Sequence, residues 1–161
     1  MNNEFKVIPT YFNGVQFRSR LEARWAVFFR TLHINYEWEP ESFDLGNGIC
    51  YIPDFYLPKY NGGIYCEVKP HDGDFRKSWF FTEKTGNPIL LCEGQPERNS
   101  YVLLERFPAN GLILQRVKHR RIHILPKMWD PSLSFEDLIP GLDKRNYAIQ
   151  RAQNERFGIF A

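Results

Sequence analysis

The stretch that most constrains this chain runs from Tyr51 to Lys69, YIPDFYLPKYNGGIYCEVK. It reads as two strands joined by a short connection bearing Pro58, Gly62 and Gly63. In a strand, residues two apart share a face. Glu67 and Lys69 therefore lie with Tyr65, while Ile64, Cys66 and Val68 point the other way. One face is apolar and faces a core; the opposite face offers a carboxylate and an amine side by side. If the strands pair, Asp54, directly after Pro53, brings a second carboxylate close to the first. Two carboxylates and one ammonium make a small site for a hard divalent cation.

The rest of the chain supplies a setting for such a site. At 161 residues it reads as a single domain, long enough to bury a core. Aromatics at 16% furnish that core, and nothing in the composition suggests a repeat or a low-complexity segment. The net charge of +2 does not by itself demand a polyanionic partner. Its distribution is uneven: residues 1–70 hold seven Lys/Arg against eight Asp/Glu, and residues 71–161 hold fourteen against eleven. The basic excess gathers around Arg116 to Arg121 and Lys144 to Arg156. The polar start MNNEFKVIPTYF has no signal-peptide core, and no apolar run is long enough to span a bilayer. Cys50, Cys66 and Cys92 are widely spaced in apolar strand-like runs and read as buried free thiols. No CxxC or Cys/His spacing suggests zinc. A reducing, cytoplasmic setting without a membrane partner follows as the expectation.

In chain order, Val7 to Gly14 is an extended lead-in closed by a turn at Asn13-Gly14. Gln16 to His33 is the clearest helix, with Phe17, Leu21, Trp25, Phe28 and Leu32 forming one apolar stripe. Glu22 lies on the flank of that stripe, and Arg18, Arg20, Arg24 and Arg30 decorate the other faces. Taken on its helix alone, Glu22 reads as a solvated residue paired with an arginine three or four positions away. Ile34 to Glu39 alternates as a half-buried strand. Ser42 to Leu45 and Ile49 to Leu57 flank the hairpin signal Gly46-Asn47-Gly48, with Pro53 marking an edge or bulge. A helix is expected over Asp74–Thr85, with Asp74 as N-cap and Gly86 as stop. Pro88 to Glu93 reads as a strand buried on both faces. Tyr101 to Phe107, Leu112 to Val117 and Ile122 to Leu125 read as strands, and Ser134 to Leu138 as a helical turn. Asp143 to Phe157 reads as a basic helix, with Tyr147, Ala148 and Ala152 inward.

Pro53-Asp54, the triplet Glu67-Val68-Lys69 thirteen residues on, and the upstream helix FRSRLEARWA together resemble the PD-(D/E)xK nuclease superfamily, in the style of its small phage and bacterial members. The likeness covers about residues 10–95, and residues 96–161 would add strands and the basic helix. All three motif positions keep the family's residue types. The resemblance implies an α/β fold with a restriction-endonuclease-like core, a mixed central β-sheet flanked by helices. It implies a metal-dependent DNA nuclease, more an endonuclease than an exonuclease, in phage or mobile-element DNA processing, recombination or restriction.

By the same resemblance, Asp54 and Glu67 are magnesium ligands, with the backbone carbonyl of Val68 a third and manganese able to substitute. Lys69 orients or helps deprotonate the attacking water, and Glu22 reaches the cation directly or through water. The chemistry needs such a set because a phosphodiester repels an incoming hydroxide and its alkoxide leaves reluctantly; a divalent cation answers both. Arg18, Arg20, Arg76 and Lys77 are weaker candidates for contacts to a nucleic-acid backbone, which are salt-dependent and largely sequence-independent. The partner implied is DNA, with a homodimer or a larger nucleoprotein complex left open. Two other readings stay open: a catalytically silent DNA-binding or assembly module of the same fold, and a nuclease acting on RNA or branched DNA.

Overall fold

A computed structural model of the chain describes residues 7–59, 62–97, 101–107, 111–113 and 142–157. The expected strand Ile122–Leu125, the turn Ser134–Leu138, the basic run Arg116–Arg121 and the end of the Leu112–Val117 strand lie outside the described residues.

The chain enters through a hairpin. Asn13 and Gly14 both take positive φ, 50° and 80°, as a tight two-residue hairpin turn requires. They join β1 (Thr10–Phe12) to β2 (Val15–Phe17), in register Thr10↔Phe17 to Phe12↔Val15. This pairing takes the first residues of the helix expected from Gln16. Helix α1 instead runs Arg20–Thr31, and Phe17 is buried from a strand. Ser19 caps α1 by accepting from Glu22 N. The helix ends at Leu32, before His33 turns left-handed at φ 57°.

The strand expected over Ile34–Glu39 contracts to β3 (Glu37–Trp38). Next come β4 (Phe43–Asp44) and β5 (Cys50–Tyr51), the two arms of the expected Gly46-Asn47-Gly48 hairpin. Pro53 breaks the following run, and β6 covers only Phe55–Leu57. Then come β7 (Ile64–Lys69), α2 (Arg76–Thr85), β8 (Ile89–Glu93), β9 (Tyr101–Phe107), β10 (Gly111–Ile113) and α3 (Leu142–Asn154).

Among the described residues the main sheet has six strands in the order β10-β9-β8-β7-β6-β3. Only β7 and β8 run parallel; the other neighbours are antiparallel. The protein is thus mixed α/β with a mixed central sheet. A parallel pair needs a crossover, here α2, and a crossover helix covers a sheet face. Both faces of β7 are therefore covered. Ile64, Cys66 and Val68 pack with Trp25, Phe28, Phe55, Ala148 and Ala152 on the side of α1 and α3. On the other face Tyr65 packs with Tyr51, Phe81, Ile89 and Leu104. Burying both faces of a strand in this way is worth about 1.5–3 kcal/mol per large apolar side chain.

Three smaller expectations are corrected. Cys66 and Cys92 are buried free thiols, but Cys50 is exposed, because β5 belongs to the small outlying hairpin. Tyr147 is exposed while Ala148 and Ala152 are fully buried. The two alanines, four apart, face α1, and Tyr147 lies off that stripe. Asp74 precedes the cap position, which Phe75 fills without a side-chain bond; Asp74 instead accepts from Arg76 N at 2.9 Å. Gly86 ends α2 in the left-handed region, as expected. Among the described residues no helix is long and apolar enough to cross a membrane.

Candidate functional site

The site forms where β6 stops short of β7. Their ladder runs only from Leu57↔Ile64 to Phe55↔Cys66, so the next stretch of β7 has no strand partner on that side. Asp54, just before β6, fills the gap: its Oδ2 accepts from Val68 N at 2.7 Å. In an extended strand a residue's N–H and C=O leave toward the same side. Lys69 O accepts from Gly94 N at 2.8 Å on the β8 side. The alternation therefore turns the Val68 carbonyl toward the gap that holds Asp54. Pro53 is fully buried, and Asp54 O accepts from Glu39 N at 2.9 Å, so the backbone bearing this carboxylate is fixed on both sides.

Glu67 is buried and is linked to α2 through Tyr51 and Ser78. Its Oε1 takes the ammonium of Lys69 at 2.7 Å, and its Oε2 accepts from the Tyr51 hydroxyl at 2.7 Å. The Tyr51 oxygen is also 2.9 Å from the Ser78 hydroxyl on α2. Burial first, then the charge of Glu67, pushes the Tyr51 hydroxyl far above its ordinary range, so it stays a neutral donor.

Glu22 is 7% exposed, which corrects the solvated reading of this residue. Its Oε1 accepts from the Ser19 hydroxyl at 2.9 Å and its Oε2 from the Trp38 indole at 3.3 Å. Among the described residues no arginine pairs with it directly. Arg18 bridges two other acids, with Nε 2.7 Å from Glu39 and a terminal nitrogen 2.7 Å from Asp54 Oδ1.

The electrostatics join these parts into one cluster. Burial, then the negative charges of Glu67 and Glu22, hold the Asp54 carboxyl well above the usual range against the pull of Val68 N–H and Arg18. Partial burial lowers the Lys69 ammonium, but the charge and hydrogen bond of Glu67 more than reverse this, so it remains protonated. Partial burial likewise works against Arg18, and Asp54, Glu22, Glu39 and Glu67 together outweigh it. Four carboxylates thus surround two cations, and with all groups ionised the cluster carries a net charge of −2.

That excess fits a divalent cation, and the donors are all oxygens, as magnesium or manganese prefer. Asp54, Glu67 and the Val68 carbonyl are the residues that would hold it. Among the described residues no group of three or more His, Cys, Asp and Glu side chains forms a ready-made cage. Glu22 stays on Ser19 and Trp38, and magnesium keeps several waters and needs only one or two carboxylates. Each carboxylate oxygen has a second lone pair beside the one its protein partner uses.

Of the weaker candidates, only Arg18 joins the cluster. Arg20 and Lys77 are exposed and make no hydrogen bond or ion pair with the four carboxylates. Arg76 is committed to Asp74 through a two-nitrogen ion pair at 2.5–2.9 Å. Sequence reasoning missed Ser19, Trp38, Glu39, Tyr51 and Ser78. Ser19-x-x-Glu22 is a capping-box spacing and was there to be found; Ser78 carries no local signal. No family model, no curated protein and no solved structure matches this chain.

Proposed function

We propose that this protein is a metal-dependent DNA nuclease, an endonuclease hydrolysing phosphodiester bonds in phage or mobile-element DNA processing, recombination or restriction, on a restriction-endonuclease-like core. One observation carries the reading. Asp54, Glu67, Lys69 and the Val68 carbonyl meet where the β6–β7 ladder ends, with Glu22 of α1 near enough for its charge to act on Asp54. The succession of α1, β6, β7, α2 and β8, with Asp54 and Glu67 beside the helix that carries Glu22, supports the fold part of the proposal.

When bound, Mg²⁺ or Mn²⁺ supplies charge stabilisation at the phosphorus oxygens and a more acidic water. Asp54 and Glu67 would provide the carboxylates for it, and Glu22 would reach it directly, by leaving Ser19 or Trp38, or through a water. Lys69 is held as an ammonium by Glu67. Its role is therefore to hydrogen-bond the attacking water and offset phosphate charge, rather than to take a proton. Tyr51 keeps Glu67 in place, and burial of the set raises the strength of every charge interaction within it. Exposed Arg20 and Lys77 are available to a nucleic-acid backbone.

One observation favours the catalytically silent module instead: every oxygen of Asp54, Glu67 and Glu22 already has a protein donor. The two readings separate on supercoiled plasmid, linear duplex, single-stranded DNA, branched DNA and RNA, each incubated with Mg²⁺, Mn²⁺ or EDTA beside Asp54→Ala and Lys69→Ala proteins. The nuclease reading expects nicked or linear plasmid with metal only, and none from the variants. Cutting that survives both substitutions would sink this site, and retention of DNA without cutting would favour the binding module.

A further inference from the structure

The cation that the carboxylates already share is Arg18. It follows β2 and precedes the capping residue Ser19, so its backbone belongs to neither element. Its side chain is 51% exposed, whereas that of Asp54 is 6% exposed. The guanidinium uses separate nitrogens for Glu39 and for Asp54 Oδ1, both at 2.7 Å. The other Asp54 oxygen is turned inward to Val68 N. A divalent cation taking Asp54 as a ligand therefore meets the oxygen that Arg18 holds. Two positive centres a few ångströms apart repel strongly in a half-buried cluster. Arg18 is long, half-exposed and anchored farther out by Glu39, so it is able to give way. Its planar fork suits a phosphate as well as a carboxylate.

We propose that Arg18 is a resident counter-cation of this site, holding Asp54 and Glu39 in the metal-free protein, releasing Asp54 when a divalent cation binds, and then taking a non-bridging oxygen of the substrate phosphate. This rests on the nuclease reading of the same cluster and adds an exchange of partners to it. Arg18 thereby has two opposed effects: it weakens metal binding and assists turnover. A guanidinium that merely braced the fold would have neither.

The test is calorimetric titration of the full chain with Mn²⁺, for wild type, Arg18→Met and Arg18→Lys, with plasmid cleavage at saturating Mn²⁺ as a second readout. Arg18→Met is expected to bind Mn²⁺ about tenfold more tightly and to cleave roughly a hundredfold more slowly. Arg18→Lys, which keeps the charge but not the two-acid bridge, falls between the two in affinity. Mn²⁺ affinity unchanged or weakened in Arg18→Met overturns the exchange and leaves the metal site standing. A wild-type protein that binds no Mn²⁺ overturns the site itself and the exchange with it. Should circular dichroism show Arg18→Met unfolded, Arg18→Lys decides alone: affinity no tighter than wild type overturns the exchange.

Discussion

Asp54 and Asp74 each have an arginine at hydrogen-bond distance and a backbone N–H on the carboxylate, yet their surroundings drive them in opposite directions. Asp74 stands in water at the start of α2, and its bonds to the side chain and backbone of Arg76 lower its carboxyl to about 2. Asp54 is buried just before β6, beside Glu67 and Glu22, and its carboxyl is held well above the usual range in spite of Arg18. An arginine contact therefore does not decide the state of an acid; desolvation and like-charged neighbours do. Asp74 is where a protein places an acid for the sake of a helix start. Asp54 is held where burial and like charges disfavour its ionised form, the environment the nuclease proposal uses.

The comparison is broken most directly at Asp54. A carboxyl raised on folding stabilises the folded state fully below its unfolded value, and that stability is lost as pH rises through the folded value. As pH rises above the unfolded value, Asp54 therefore counts against the folded state. Asp54→Asn is expected to abolish cleavage, by roughly a thousandfold or more, while raising thermal stability at pH 7 by about 0.5–2 kcal/mol. The gain should fade as pH falls toward 4, where the carboxyl of the unfolded wild type also protonates. Melting curves across that range check both the sign and the window. Mn²⁺ should raise the melting temperature of wild type, by about 2.7 kcal/mol of stability at a hundred times the dissociation constant, and leave Asp54→Asn almost unmoved. A variant less stable than wild type at every pH would mean that Asp54 serves the fold as Asp74 does.

What the sequence made legible was local. Asn13-Gly14 and Gly46-Asn47-Gly48 each specify a turn by their own φ requirements, and both hairpins are present. The spacing of Asp54 from Glu67-x-Lys69 needs only adjacent strands, so those residues were legible together. Period-2 patterning could not reveal that the Tyr65–Glu67–Lys69 face is covered, because the cover is α2, which crosses back from the end of β7. For the same reason Ser78 and the donor role of Tyr51 were hidden. Gln16 and Phe17 fit the helical stripe as well as a strand; only pairing with β1 decided between them. Glu22 looked solvated because the groups that bury it, including Trp38, come from other elements.

Tyr51 tests a smaller difference, between a carboxylate that is held in place and one that is merely present. Its hydroxyl is the donor that ties Glu67 to Ser78 and α2. Tyr51→Phe keeps the ring against Phe81 and removes both bonds, the one to Glu67 and the one to Ser78. Metal affinity is expected to fall roughly tenfold, with a stability cost of about 1–3 kcal/mol from the two lost hydrogen bonds. Titration with Mn²⁺ beside a melting curve separates the two. A loss of stability with unchanged affinity would make Tyr51 a core residue with no part in the site.

The smallest effect belongs to Asp74, and its smallness is what the comparison requires. A carboxyl lowered on folding contributes stability above its unfolded value and loses it as pH falls, here toward about 2. Because Asp74 and Arg76 are solvated, screening takes most of that contribution away. Asp74→Ala is expected to leave cleavage and metal affinity unchanged and to lower the melting temperature slightly at pH 7. That decrement should shrink in about 1 M salt and vanish near pH 2, opposite in sign to the pH response of Asp54→Asn. A large loss of cleavage in Asp74→Ala would show that freeing Arg76 matters to substrate, and would carry the working surface from the β6–β7 edge onto the start of α2.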